Sequence, residues 1–121
     1  MSKNIVRVNL AAQSYDIVIG QGLLRQAGAY LSSLLPSQKI CVVTDEAVAK
    51  LYLVNFMKAL EEAGLKAYPP IILPAGEATK NFKQLQYITD KALSYKLDRK
   101  STLVALGGGV IGDITGFAAA I

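Results

Sequence analysis

The chain opens with two short runs in which apolar and polar residues take turns, "NIVRVNL" and, after the polar "AAQS", "YDIVIG". A period of two puts alternate side chains on opposite faces of a strand, so this predicts a hairpin pairing Ile5–Leu10 with Tyr15–Ile19. The period then lengthens. In "GLLRQAGAYLSSLL", Gly22 to Leu35, residues Leu23, Leu24, Ala27, Leu31 and Leu34 recur at helical spacing, and Pro36 ends the run.

"KICVVTD" is continuously apolar and short, the pattern of a strand buried on both faces of a parallel sheet. Asp45 closes it and can cap the next helix, roughly Glu46–Ala63, with Gly64 where a left-handed C-terminal cap is wanted. "AYPPIILPA" predicts another strand with prolines held to its ends. Thr79–Leu97 is amphipathic, with Phe82, Leu85, Ile88, Ala92 and Leu93 on one face. "STLVAL" predicts the last strand, and Gly112 onward another helix. Strands alternating with helices of this length imply an α/β fold: the hairpin, then a parallel sheet with helices on its faces. No repeat, low-complexity tract or linker divides residues 1–121.

Composition agrees: 52% hydrophobic and 18% charged residues can fill a core and exclude disorder. The net charge of +4 is scattered apart from Arg99-Lys100. With no basic run interleaved with aromatics, nucleic acid is not expected as a partner. The single cysteine, Cys41, lies in an apolar run and reads as a core residue; a reduced, cytoplasmic setting is expected. The N-terminus lacks the apolar region of a signal peptide. Thr102–Ile121 is apolar enough to suggest a membrane span, but its five glycines and Asp113 argue against one. There is no histidine, so no imidazole is available as base or metal ligand.

Three constellations carry candidate chemistry. Gly107-Gly108-Gly109-Val110-Ile111-Gly112 satisfies G-x-G-x-x-G between a predicted strand and a predicted helix. Glycine permits a tight bend with positive φ and lets a phosphate approach the amides, while the helix N-terminus offers unpaired N–H groups. The spacing admits a diphosphate cradle or close strand–helix packing through small residues. Asp113 directly after it would repel a bare anion unless it bonds a hydroxyl or a cofactor amide, or caps the helix. The second constellation is "PAGEATK", which sets Gly76, Glu77 and Lys80 at a strand end. There they could meet ribose hydroxyls and phosphate, or merely cap a helix and face solvent. The third is Asp45, by itself best explained as a cap. All three fall on the carboxyl edge of the expected sheet, where open α/β sheets bind ligands.

"LGGGVIGDITGFAAA", "PAGEATKNF", "VVTDEAVAKLY" and "YDIVIGQGLL" together resemble the 3-dehydroquinate synthase family over essentially the whole chain. The resemblance implies a Rossmann-like N-terminal domain that binds NAD, followed by a mostly helical C-terminal domain. It would put Asp45 at the adenosine ribose and Gly76, Glu77 and Lys80 along the cofactor cleft. Gly108, Gly109, Val110 and Asp113 would lie around the pyrophosphate. The chain departs from the family at Ala75, where many members carry an acidic residue before Gly-Glu.

The implied enzyme converts 3-deoxy-D-arabino-heptulosonate 7-phosphate to 3-dehydroquinate and phosphate, in the shikimate route to aromatic amino acids. It uses NAD and a divalent metal, zinc or cobalt, held by a Glu and two His of the C-terminal domain, and is expected to be a homo-oligomer. On this reading the chain is about one third of the family's length, a fragment able to keep the nucleotide-binding fold but not to catalyse. The helix from Gly112 to Ile121 would expose an apolar patch. Two other origins stay open: another sugar-phosphate cyclase or glycerol dehydrogenase-like enzyme, and a non-catalytic nucleotide-binding module whose glycines pack.

Overall fold

The computed structural model describes residues 3–10, 15–20, 22–34, 39–76, 80–98 and 100–120. Strands β1 (Lys3–Val8) and β2 (Tyr15–Gly20) pair antiparallel, with Ile5 opposite Val18 and Val6 opposite Ile17. They form a two-stranded sheet of their own. Ile5, Val6, Ile17 and Ile19 are exposed, so the alternation builds the ladder here without supplying a covered face. A 3-10 turn, Leu23–Gln26, leads into helix α1 (Ala27–Leu34). Leu24, Ala27 and Leu31 turn inward as the spacing predicts, whereas Leu34 is exposed.

The remaining sheet is parallel and centred on β3 (Lys39–Asp45), whose Ile40 through Thr44 are all fully buried. Two short strands, β4 (Lys66–Ala67) and β5 (Ile71–Leu73), lie end to end along one edge of β3. β6 (Thr102–Leu106) lies along the other, pairing Ile40 with Thr102 through Thr44 with Leu106. The single strand expected from "AYPPIILPA" is therefore broken. Tyr68 still donates to the Ile40 carbonyl at 2.9 Å, but Pro69 and Pro70 have no N–H to continue the ladder.

Between β3 and β4 the chain is helical, but not as one regular helix. It runs as α2 (Glu46–Val48), a π turn (Ala49–Leu53) and α3 (Val54–Glu62). Val48, Ala49 and Leu53 all pack against the core that this segment covers. Gly64 follows with φ 81°, the left-handed cap expected of it.

α4 (Phe82–Ser94) begins three residues later than Thr79, where Asn81 accepts from the Gln84 amide at 2.9 Å. Its inner face carries Leu85 and Ile88, with Tyr95 beyond its end, whereas Phe82 and Leu93 are 84% and 73% exposed. At 100° per residue those two lie roughly 120° and 140° around the helix from Ile88, which takes them off the inner stripe. Entry into β6 is set by Asp98, which accepts from the Lys100 and Ser101 amides. The Lys100 amide is the main cause holding its carboxyl below the usual range. α5 (Gly109–Ala120) ends the described chain.

Two cores result, one on each face of β3. On one side Ile40 and Val42 pack with Leu53, Phe56, Leu60, Leu65 and Leu106; on the other Cys41 and Val43 pack with Ile71, Leu73, Ile88, Ile111, Ile114 and Ala118. Cys41 is the core residue expected, its thiol pushed up to about 11 by burial and so protonated at neutral pH. Within the stretch expected from Thr102 onward, the described residues divide between a strand and a helix that ends at Ala120, and among the described residues no helix is long and apolar enough to cross a membrane.

Candidate functional site

β3 and β6 are neighbours, yet the chain leaves them toward opposite faces. The helical segment after β3 covers the Ile40–Val42 side, and α5 after β6 covers the Cys41–Val43 side. Adjacent strands diverging in this way leave a crevice beyond their carboxyl ends, the place where open parallel sheets take ligands. A cavity of about 180 Å³ lies there, lined by Asp45, Pro74, Gly76, Gly108, Gly109, Val110 and Ile111. Residues from three separate strand ends thus meet around one space.

The glycine run does not bend as expected. None of Gly107, Gly108, Gly109 or Gly112 has positive φ, and α5 starts at Gly109 instead of Gly112. Gly107 and Gly108 form a two-residue bend between strand and helix, and the first i→i−4 bond runs from the Gly112 amide to the Gly108 carbonyl at 3.0 Å. The amides of Gly109, Val110 and Ile111 precede that bond and so have no partner within the helix. What glycine supplies is a missing side chain. A Cβ built on Gly108 or Gly109 meets nothing within 4 Å, which is open space; one on Gly107 would sit 3.0 Å from Ile111. The first two glycines of the motif therefore divide the two readings: Gly107 packs, and Gly108 is bare toward the cavity. Positive φ occurs instead at Gly76, at 102°, in the "PAGEATK" segment. A side chain there would be strained in any surroundings.

Asp45 is the cap the sequence predicts. Its Oδ1 accepts from the Val48 amide at 2.9 Å, fixing the start of α2 at the cavity wall. Asp45→Ala is expected to cost about 1 kcal/mol in thermal or denaturant unfolding, and Asp45→Asn almost nothing, because Asn keeps the capping oxygen. Any effect of the Asn variant on ligand affinity would then report on the carboxylate itself.

Lys80 and Asp113 meet one another. Their Nζ and Oδ2 atoms are 2.9 Å apart, with 48% and 63% of the side chains exposed. Lys80 therefore does not simply face solvent, and the charge of Asp113 beside the glycine bend is balanced locally. An ion pair this exposed contributes at most about 1 kcal/mol to stability, so its consequence is where it places charge. The pair borders a second space of about 360 Å³, whose other walls are Asn81, Phe82, Leu85, Ile114 and Phe117. That groove is the apolar patch expected of the last helix, but narrower. α5 buries Ile111, Ile114, Thr115 and Ala118, and Phe117, 57% exposed, is its one large exposed apolar residue. Glu77 lies outside the described residues.

One residue beside the cavity escaped the sequence reading. Thr44 is fully buried, and its hydroxyl donates to the Leu106 carbonyl at 2.7 Å. A Thr in an apolar strand carries no local sign that its hydroxyl reaches the neighbouring strand, 62 positions away. Only the register reveals it. Among the described residues no group of three or more His, Cys, Asp or Glu is arranged to hold a metal ion.

Comparison with known proteins gives this geometry a class. The model of the family "3-dehydroquinate synthase N-terminal" matches residues 70–121. The 3-dehydroquinate synthase of Rhizobium leguminosarum bv. trifolii is 49% identical over 120 residues, which is 99% of this chain and 32% of that protein. That of Rhizobium meliloti is 50% identical over 116 residues, 96% of this chain and 30% of the relative. A crystal structure of 2-deoxy-scyllo-inosose synthase, complexed with carbaglucose-6-phosphate, NAD+ and Co2+, superposes with a TM-score of 0.81. It covers 98% of this chain and 32% of that one at 18% identity, a likeness of fold.

The fold is the α/β fold seen in 2-deoxy-scyllo-inosose synthase. By sequence the chain belongs to the 3-dehydroquinate synthase family, corresponding to its N-terminal region. It spans about a third of the length of the relatives it matches.

Proposed function

We propose that residues 1–121 are the NAD-binding part of a 3-dehydroquinate synthase. The parent converts 3-deoxy-D-arabino-heptulosonate 7-phosphate to 3-dehydroquinate and phosphate. The observation that carries this reading is the crevice in which Asp45, Gly76 and Gly108–Ile111 line one cavity, with nothing opposite the bare Cα of Gly108 or Gly109. The donor set suits a dinucleotide. Amides of a helix's first turn can receive a diphosphate, a carboxylate at a neighbouring strand end can accept from ribose hydroxyls, and an ammonium stands nearby.

In this reading Gly108, Gly109 and Val110 hold the pyrophosphate through their backbone, and Asp45 takes the adenosine ribose with the oxygen its cap leaves over. Gly76 lines the wall, Glu77 keeps the cofactor role that the family resemblance implies, and Lys80 with Asp113 keeps the charge beside the diphosphate near neutral. NAD, when bound, would supply a reversible hydride acceptor. The divalent metal and most substrate contacts belong to the remaining two thirds of the parent, a cytoplasmic homo-oligomer. That remaining length would also cover the Phe82–Phe117 groove. Residues 1–121 supply the cofactor side of the cleft.

A cavity of about 180 Å³ is smaller than the roughly 300–1,000 Å³ of a complete ligand pocket, so this chain offers one wall of a cleft. Its affinity for NAD is accordingly expected near millimolar, roughly −4 kcal/mol. Titrating NAD into the purified chain and following amide resonances should move those of Gly108, Gly109, Val110 and Val48. Unmoved resonances at several millimolar NAD would leave the glycines a packing role only.

A further inference from the structure

We infer that Thr44 is a positioning residue: its buried hydroxyl sets the orientation of the glycine bend that receives the diphosphate. The inference rests on the reading of that bend as the NAD site. A run of glycines has no side chains with which to hold itself in place. Gly108 and Gly109 touch nothing through a would-be Cβ, and only Gly107 is wedged, against Ile111. The aim of the amides must therefore be fixed from the flanks.

On the helix side the Gly108 carbonyl is held by the Gly112 amide at 3.0 Å. On the strand side the ladder between β3 and β6 ends at the pair Thr44–Leu106, and Leu106 is the last residue before the bend. The Thr44 hydroxyl closes on the Leu106 carbonyl at 2.7 Å, with Thr44 fully buried and Leu106 8% exposed. That carbonyl belongs to the peptide plane joining Leu106 to Gly107. Holding it holds the Gly107 N–H and, through a single glycine, the direction in which Gly108 and Gly109 leave the strand. Losing the bond removes the side-chain anchor of that carbonyl and leaves the plane held by the last rung of the ladder and by the contact of Gly107 with Ile111.

The test compares Thr44→Val and Thr44→Ser in the 121-residue chain. Val keeps the shape and removes the donor; Ser keeps the donor and leaves a methyl-sized gap in the core. Without nucleotide, Val is expected to displace the amide resonances of Gly107, Gly108 and Gly109 more than any others on β6 and α5. It should also weaken NAD binding roughly three- to tenfold, the worth of one such bond. Ser is expected to keep the glycine resonances and the affinity near those of the unsubstituted chain while lowering Tm. Glycine resonances unmoved in the Val variant, or moved equally by Ser, would overturn the proposal and leave Thr44 a satisfied core hydroxyl. If the unsubstituted chain shows no NAD binding, the cofactor reading fails, and the ligand-free resonances still decide whether Thr44 orients the bend. Should the Val variant not fold, the Thr44 hydroxyl proton of the unsubstituted chain gives the second measurement. Slow exchange with water supports the bond as an anchor, and rapid exchange overturns it.

Discussion

Valine in place of Gly108 is expected to leave the chain folded and to abolish its response to NAD. Gly108 lies on the bend between β6 and α5 at negative φ, so a side chain there carries no left-handed strain. A Cβ would meet nothing within 4 Å, so no neighbour need move to admit it. The cost in stability should stay within about 1 kcal/mol, typical of a surface change outside the core. The isopropyl group would instead occupy the cavity beside the bend, where a phosphate must come within hydrogen-bonding distance of the amides. At an affinity that starts near millimolar, even a hundredfold loss puts binding beyond reach of titration. Comparing the NAD-induced resonance shifts and the Tm of the variant with those of the unsubstituted chain checks both halves. A variant that still answers NAD would remove the bare bend from the binding site.

The largest effect on stability is expected at Gly28. Helix propensity alone favours alanine over glycine in α1, by about 1 kcal/mol. Packing opposes it: a Cβ on Gly28 would sit 2.6 Å from the Ala63 Cβ and against the Ala59 carbonyl. The second obstacle is backbone and cannot rotate aside, so α1 would have to lift from α3. Overpacking of this kind costs about 1–3 kcal/mol, and the lost contact between the helices outweighs the propensity gain. Gly28→Ala should therefore lower Tm by roughly 5–10 °C. An unchanged or higher Tm would mean that the two helices are not in close contact at this point. NAD binding, more than one element away, should follow only the fraction folded.

These two glycines show what the sequence could and could not disclose. Layer order was legible because it depends on periods: two in the hairpin, helical between the strands, and continuous apolarity in β3. Asp45 and Gly64 were legible as caps because capping depends on residues close in sequence. Distances across the fold were not. Nothing near Gly28 announces that Ala59 and Ala63 will press on it, and nothing near Lys80 announces Asp113. The π turn is hidden because Ala49, Leu53, Phe56 and Leu60 keep ordinary helical spacing through it. Residues 107–112 fit a known spacing, yet the reason first attached to their glycines, positive φ, belongs to Gly76. In the bend itself the glycines serve by leaving room.

β3 has a consequence for the way the domain comes apart. Its even positions belong to one core and its odd positions to the other, so neither helical layer has a sheet to rest on without it. Melting of either layer strips water-excluding cover from one face of this same strand. Two cores that share one strand cannot lose their order separately. Denaturation of the parallel part is therefore all-or-none, and a lesion beneath α1 and one beneath α4 are felt as a single transition.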